Sequence, residues 1–577
     1  MIAPRVCYRF AMNSVRRDQW ILLFATLLAI GSGIGLRDPW PADEPRFALV
    51  AKQMIDSGQW LFPHRGNELY ADKPPLFMWL QAIGHLFTRE WRIAFLLPSL
   101  LAALGSVACV YDLGRRLWSH KIGLYAGYAL LFAVQFAYQS KKAQIDPLVT
   151  FWITLANYGL IRHVLRGPDW RWWMIGWFAA GIGVITKGVG VLAILMLLPA
   201  AYASLQGWTG VRLHLRDPKF WLGPLLLIVA IALWLVPMLL AVHASGDPAY
   251  AAYAHNILFH QTAQRYADSW AHVQPWWYQL LVMLSWAPLI FALPWAIPAW
   301  ARRLRRRDPR YLLPLAWWAM IVLFFSIPSG KRDVYILPAL PMAALAFAPL
   351  LPGLLRKAWP RRVAWTFGAM LSVLLLVAGL GIVGGNAHLL KRVMDGRGIG
   401  IDQAHAIGGM LAAMGAWSAA ALLWQRRRAG VALAWMLGGV WMLYGLVGYP
   451  LLNAFSSANA LMEHVDRRIG VDGQLGMVAW KEQNLLQAER PAATFGFTRP
   501  WAEQRAAGSA WQSQSPQHRW LFVLEDALGA CVDRSRSEFV GVANRRRWWL
   551  VPGDAWKPDC RDDPDARSTA TDKDFGD

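Results

Sequence analysis

The sequence predicts a polytopic α-helical membrane protein of about thirteen transmembrane helices, with a large first external loop and a small external α/β domain at its C-terminal end. Three observations carry that expectation. The 577 residues are 56% hydrophobic and only 16% charged, with 35 Trp and a mean hydropathy of +0.28, a balance that ordinary soluble chains lack. Apolar runs of spanning length begin near residues 20, 91, 122, 144, 172, 188, 219, 276, 311, 334, 364, 405 and 431. Alternate connections between those runs carry the excess of Lys and Arg, as cytoplasmic loops do.

The basic connections are Arg16-Arg17, Arg115-Arg116 with Lys121, Arg162 with Arg166, Arg212 with Arg216, Arg302 to Arg307, Arg356 to Arg362, and Arg426 to Arg428. An odd number of crossings then puts the N-terminus in the cytoplasm and the C-terminal region in the periplasm, across a bacterial inner membrane. The formal charge of +22 sits in short clusters between apolar runs, so it reads as topology, and no nucleic-acid partner is expected. The first apolar run has basic residues before it and no small-residue cleavage pattern after it. It is read as a retained helix, with residues 1–451 forming the membrane domain.

From residue 452 the apolar runs shorten and charges intersperse. Leu475 to Trp480, Trp520 to Leu524 and Trp548 to Val551 read as short buried strands, and Glu482 to Glu489 as a helix between them. Residues 452–562 are therefore assigned to the external α/β domain, and the polar tail 563–577 is expected to be disordered. Cys531 and Cys560 share this domain, where a disulfide can form, whereas Cys7 is cytoplasmic and Cys109 lies within a helix. No cysteine spacing of metal-binding type occurs, and no internal repeat is evident.

The connections assigned outside are residues 37–90, the turn at Lys141-Lys142, the turn near Lys187, the second large loop 243–275, Ser329 to Asp333, and 385–404. The first of these concentrates acids and bases beside the bilayer: Arg37-Asp38, Asp43-Glu44-Pro45-Arg46 and Asp72-Lys73-Pro74-Pro75. Ionisable groups are costly there, so such a cluster is a candidate functional site. Pro45 suits the first turn of a helix running to Ser57 along the membrane surface, and Gly58 suits its end. Asp43 and Glu44 then either cap that helix or take part in chemistry, although one cap suffices and adjacent carboxylates repel. Arg46 and Lys73 either form salt bridges or meet a lipid phosphate, for which Arg offers a planar fork and Lys a point charge.

Lys141-Lys142, Lys187 and Lys331-Arg332 place further cations on the side that normally excludes them, which calls for an anionic partner, whether membrane phospholipid headgroups or one specific lipid phosphate. Asp146, before Pro147, either caps the fourth span or joins Asp43. His243, His255, His260 and His272 in loop 243–275 are either interfacial contacts or groups that bind a divalent ion or move a proton.

Taken in order and on one side, these elements resemble the polyprenyl-phosphate-dependent GT-C glycosyltransferases. They are Asp-Glu-x-Arg at 43–46, Asp-Lys-Pro-Pro at 72–75, Asp146-Pro147, Thr186-Lys187-Gly188, and Lys331 followed by Tyr335, Pro338 and Pro341. The resemblance covers nearly the whole chain. It is nearest to the branch of bacterial lipid A aminoarabinose transferases, which also resemble protein O-mannosyltransferases. Val189 stands where that family usually has proline after Thr-Lys-Gly, and Asp72 where it often has Glu; these departures touch the identity of the sugar, not the class.

The resemblance implies that Asp43 and Asp146 lie at the reacting centre with Glu44 beside them. It implies that Arg46, Lys73 and Tyr335 hold the lipid phosphate, with Lys187, Lys331 and Arg332 as further phosphate contacts. Asp72, together with His255 or His272, is the implied holder of a divalent metal ion, the one cofactor considered. The implied reaction is inverting transfer of a sugar, 4-amino-4-deoxy-L-arabinose or a relative, from undecaprenyl phosphate to lipid A or another periplasmic glycan or protein. A phosphate acceptor is already anionic, whereas a hydroxyl acceptor needs a base. The rival classes are a polyprenyl-lipid transporter, which would carry its ionisable groups at mid-membrane, and a non-enzymatic lipid-binding protein, which would not need Asp43.

Overall fold

Among the described residues of the computed structural model, seven helices are long and apolar enough to cross a bilayer unaided: Trp91–Leu117, Ile145–Arg166, Pro218–Ser245, Pro309–Ser326, Ala358–Val383, Ile401–Trp424 and Ala429–Ser456. The structure describes residues 3–259, 272–397 and 399–557; His260, Cys560 and the tail 563–577 lie outside them. An eighth candidate is bent by 100° between Tyr278–Trp286 and Leu289–Arg305. Several expected runs form shorter or divided helices, such as His120–Leu131 with Val134–Ser140, Val189–Met196 with Leu197–Leu205, and Asp333–Ala339 with Leu340–Phe347. Proline accounts for part of this. Pro288 stands at the bend, and Pro338 and Pro341 lack the N–H that would continue the regular ladder.

The first loop folds as expected at its start. Helix Glu44–Ser57 has Pro45 in its first turn and ends at Gly58, whose φ of 71° is a left-handed value that glycine adopts without strain. A two-stranded hairpin, His64–Arg65 with Glu68–Leu69, and helix Leu76–Thr88 follow. The first helix does more than lie on a surface. Its apolar face, with Phe47, Val50, Ala51 and Met54, shares one core with Phe77 and Met78, with Ile145 and Leu148 at the end of the bundle, and with Leu475, Val478, Phe522 and Trp548 of the C-terminal region.

That region carries a five-stranded sheet in the order 492–494, 474–478, 519–524, 546–551, 538–543. The first three strands pair in parallel and the last two join antiparallel. Strands 474–478, 519–524 and 546–551 are the three apolar segments expected from sequence, and helix Glu482–Leu486 follows the first of them. Ala492–Thr494 and Glu538–Ala543 went unforeseen: one is three residues long, and the other is a partly exposed strand interrupted by Gly541. Cys531 is disulfide-bonded and Cys109 is a free thiol.

A buried ion pair fastens the first loop to the bundle. Arg37 is 1% exposed and Glu44 is 4% exposed, and the guanidinium grips the carboxylate with two hydrogen bonds, one of 2.7 Å. Trp40 N–H and Ala143 N–H each donate to Glu44 at 2.9 Å, so both carboxylate oxygens are filled. The Arg37 plane lies 4.4 Å from the Trp40 ring centre and 4.6 Å from that of Tyr449, and it also donates to the Lys141 carbonyl. Just before it, Gly33 has φ 87°, and a Cβ there would meet the Gly445 carbonyl oxygen at 2.3 Å, so the chain enters the loop by backbone-to-backbone contact.

Removing one member of such a pair strands the other charge in a dry site, at a cost of about 3 to 5 kcal/mol. Arg37→Ala should lower the melting temperature of the purified protein, followed by tryptophan fluorescence. Arg37→Met combined with Glu44→Leu should recover much of that loss. An unchanged melt for Arg37→Ala would show that the pair does not hold the loop.

Candidate active site

Asp43 precedes helix 44–57, yet its side chain makes no capping hydrogen bond. Instead one carboxylate oxygen lies 3.5 Å from Arg46, one turn on, and the other lies 3.4 Å from both the Gln144 amide and the Arg332 guanidinium. Helix geometry places Arg46 on the same face as Asp43. Gln144 arrives at the head of helix Ile145–Arg166, and Arg332 from the turn before Asp333–Ala339. Three separated stretches of sequence thus converge on one carboxylate.

A second ion pair stands beside the first. Lys187, at the end of helix Trp170–Lys187, bonds Asp146 in the first turn of helix Ile145–Arg166. The Lys187 ammonium also sits 5.2 Å from the centre of the Tyr335 ring. Arg332 links the two pairs: burial alone would lower its pKa, but Asp43 and then Asp146 outweigh that and raise it above the usual arginine value. Six of the expected residues, Asp43, Arg46, Asp146, Lys187, Arg332 and Tyr335, are therefore brought into one alternating array of charges.

The strongest contact of Arg46 was not foreseen. Its Nε donates to Glu482 of the C-terminal region at 2.8 Å, and Arg65 approaches the same carboxylate at 3.5 Å. Glu482 is 4% exposed; burial alone would raise its pKa, but Arg46 and Arg65 outweigh that and hold it below the usual carboxylate range. Arg46 is shifted upward in turn, Glu482 outweighing its own burial. Arg65 also lies flat on Phe497, 3.9 Å from the ring centre. No local pattern could have found this group, because Arg46 and Glu482 are 436 residues apart.

The other expected residues lie apart from the array or serve structural contacts. Both oxygens of Glu44 are turned to Arg37 and two backbone N–H groups, away from Asp43. Lys73 donates to the Asp72 carbonyl at 3.0 Å, and the Asp72 carboxylate lies 3.8 Å from Arg65. Lys331 is 3% exposed and donates to the carbonyls of Gln274 and Pro328, pinning loop 272–274 to the turn at 328–331. Lys141 is also buried; its ammonium caps the end of helix Ala3–Gly31 through the carbonyls of Ala29, Ile30 and Ser32. Burial and then Arg37 push its pKa down to about 7.

His255 ends a short helix with its ring against Phe259, and the carbonyl of His272 accepts from Lys331 N–H at 2.9 Å. Among the described residues no three His, Cys, Asp or Glu side chains come together in a way that could hold a metal ion. Asp72, His255 and His272 accordingly belong to no such group of three.

The family model for dolichyl-phosphate-mannose-protein mannosyltransferases matches residues 72–236. The undecaprenyl phosphate-alpha-4-amino-4-deoxy-L-arabinose arabinosyl transferase of Pseudomonas savastanoi pv. phaseolicola is 32% identical over 346 residues, 59% of this chain; the match spans only 62% of that relative's length. The protein of the same description from Pseudomonas aeruginosa strain UCBPP-PA14 is 29% identical over 93% of this chain and 96% of its own. The crystal structure of ArnT from Cupriavidus metallidurans bound to undecaprenyl phosphate superposes with a TM-score of 0.71 at 19% identity, over 95% of this chain and 100% of that one, a likeness of fold. In sequence the chain is thus similar to these aminoarabinose transferases and, over residues 72–236, to the mannosyltransferase family, and in fold it is similar to ArnT.

Proposed function

We propose that this protein moves a sugar, 4-amino-4-deoxy-L-arabinose or a relative, from undecaprenyl phosphate to lipid A or another periplasmic acceptor, inverting the anomeric centre. The names of its relatives support the donor. The observation that supports the reading most is the single carboxylate of Asp43 held between Arg46 and Arg332, beside Asp146, Lys187 and Tyr335. In the reaction an acceptor oxygen bonds to the anomeric carbon while the bond from that carbon to the phosphate oxygen breaks. Negative charge collects on the departing phosphate and positive charge on the sugar ring.

The array answers both charges. Arg46, Arg332 and Lys187 stabilise the departing phosphate, and Tyr335 orients Lys187 by its ring face. Asp43 faces the developing cationic sugar; it takes a proton from a hydroxyl acceptor, or positions an acceptor that is already an anionic phosphate. Asp146 holds Lys187 in place. Lys73, a neighbour in the same loop, is assigned to the donor phosphate as it enters. Glu44 is assigned a structural part, since its oxygens are filled. No step is routed through a metal ion.

The same reading takes the array to be periplasmic, the N-terminus cytoplasmic and the C-terminal region periplasmic in a bacterial inner membrane. About thirteen crossings then require that the short and divided helices cross as well as the seven long ones.

Asp43→Asn preserves shape and removes the charge. It should lower the rate of sugar transfer about a hundredfold or more while undecaprenyl phosphate binding, measured separately, stays near that of the unaltered protein. Full turnover would remove Asp43 from the chemistry. Arg332→Gln should cost a similar factor, because it withdraws one fixed donor from the leaving group. Mass spectrometry of lipid A from cells with and without the gene should show loss of an aminosugar on phosphate; unaltered lipid A would shift the acceptor to another glycan or a protein. A cysteine at the exposed Ser57 should react with an impermeant maleimide added outside the inner membrane, and protection there would invert the topology.

A further inference from the structure

Helix Ile145–Arg166 has Asp146 at one end and Arg166 at the other, roughly 30 Å away at a rise of about 1.5 Å per residue. Around Arg166 lies a cavity of about 420 Å³ that no part of the proposed reaction uses. It is formed where the ends of helices 97–117, 145–166 and 293–305 meet the start of 309–326 and the turn at 209–210. Five arginines line it, Arg166, Arg303, Arg306, Arg307 and Arg310, against one acid, Asp308. The acid is already taken by Arg310 through a bidentate bridge at 2.8 and 2.9 Å. Among the described residues no carboxylate lies within ion-pair distance of Arg166, Arg303, Arg306 or Arg307.

Elsewhere at this end of the bundle arginines do find acids. Arg115 and Arg116 share Asp112, and Arg162 bonds Asp169. The net charge of four at the cavity is thus a local surplus in a concave site, beyond the usual basic bias of a cytoplasmic face. A second feature lies next to it. Helix Leu197–Leu205 presents Leu198, Tyr202 and Leu205 at helical spacing, 57%, 53% and 87% exposed, an apolar strip on the outer surface of the bundle. Arg307 donates to the carbonyl of Gln206 at the foot of that strip. An apolar track therefore runs down to a cationic pocket.

We propose that this cavity binds the headgroup of an anionic phospholipid, with an acyl chain along Leu198, Tyr202 and Leu205. Arginine forks suit phosphate oxygens, and basic pockets between membrane helices are headgroup sites in general. Four uncompensated charges exceed what one phosphodiester supplies, which favours a lipid with two phosphates. The site is separate from the donor site in place and in the leaflet it faces.

The test uses the full-length protein in nanodiscs of zwitterionic lipid, titrated with a diphosphatidylglycerol, with phosphatidylglycerol, or with inorganic phosphate, and bound lipid counted by native mass spectrometry. The diphosphatidylglycerol should bind most tightly. The triple substitution Arg303→Gln, Arg306→Gln, Arg307→Gln should weaken it about a hundredfold, since each surface cation contributes a severalfold gain. A triple Arg426→Gln, Arg427→Gln, Arg428→Gln, removing equal charge outside the cavity, should change binding little. Equal loss in both triples would reduce the effect to general surface charge and overturn the site. Binding of inorganic phosphate alone, with no lipid retained, would overturn the lipid assignment.

Discussion

The arrangement depends first on how a charged loop can be held rigidly at the edge of a bilayer. The answer lies in Arg37 and Glu44, each almost wholly removed from solvent and each hydrogen-bonded to the other and to backbone groups. A buried ion pair gains little over apolar packing of the same volume, but it accepts few alternative geometries. Because Glu44 also takes the N–H of Ala143, the pair ties the start of helix 44–57 to the head of helix 145–166. Those two helix ends carry Asp43 and Asp146. The two helix ends that bear these carboxylates are thereby tied together through Glu44.

Much of this was legible in the sequence, and for identifiable reasons. Pro45 and Gly58 punctuate a helix whose ends the structure reproduces within a residue. The sidedness of the cations singled out Arg46, Lys187 and Arg332, which do meet acids in one place. The same rule mistook Lys141 and Lys331, because a lysine at a helix end can spend its three donors on backbone carbonyls as readily as on an anion. Glu44 was ambiguous for a similar cause: a carboxylate at a helix start and one in an active site look alike until the partners of each oxygen are known.

What sequence could not supply was the contact between the first loop and the C-terminal region. Glu482 lies in an ordinary helix start, and only the packing of the sheet against the first loop brings it to Arg46 and Arg65. The divided helices were equally opaque, since an apolar run of spanning length says nothing about where its ladder breaks unless a proline marks the place.

The meeting of Arg46 with Glu482 also bears on how the protein is made. The first loop emerges early in synthesis, while its counter-charge is encoded 436 positions later, beyond every helix of the bundle. Until the ribosome has delivered that stretch, the apolar side of helix 44–57 lacks its cover and Arg46 its buried acid. The contact between the first loop and the C-terminal region is therefore a late event in the making of the chain.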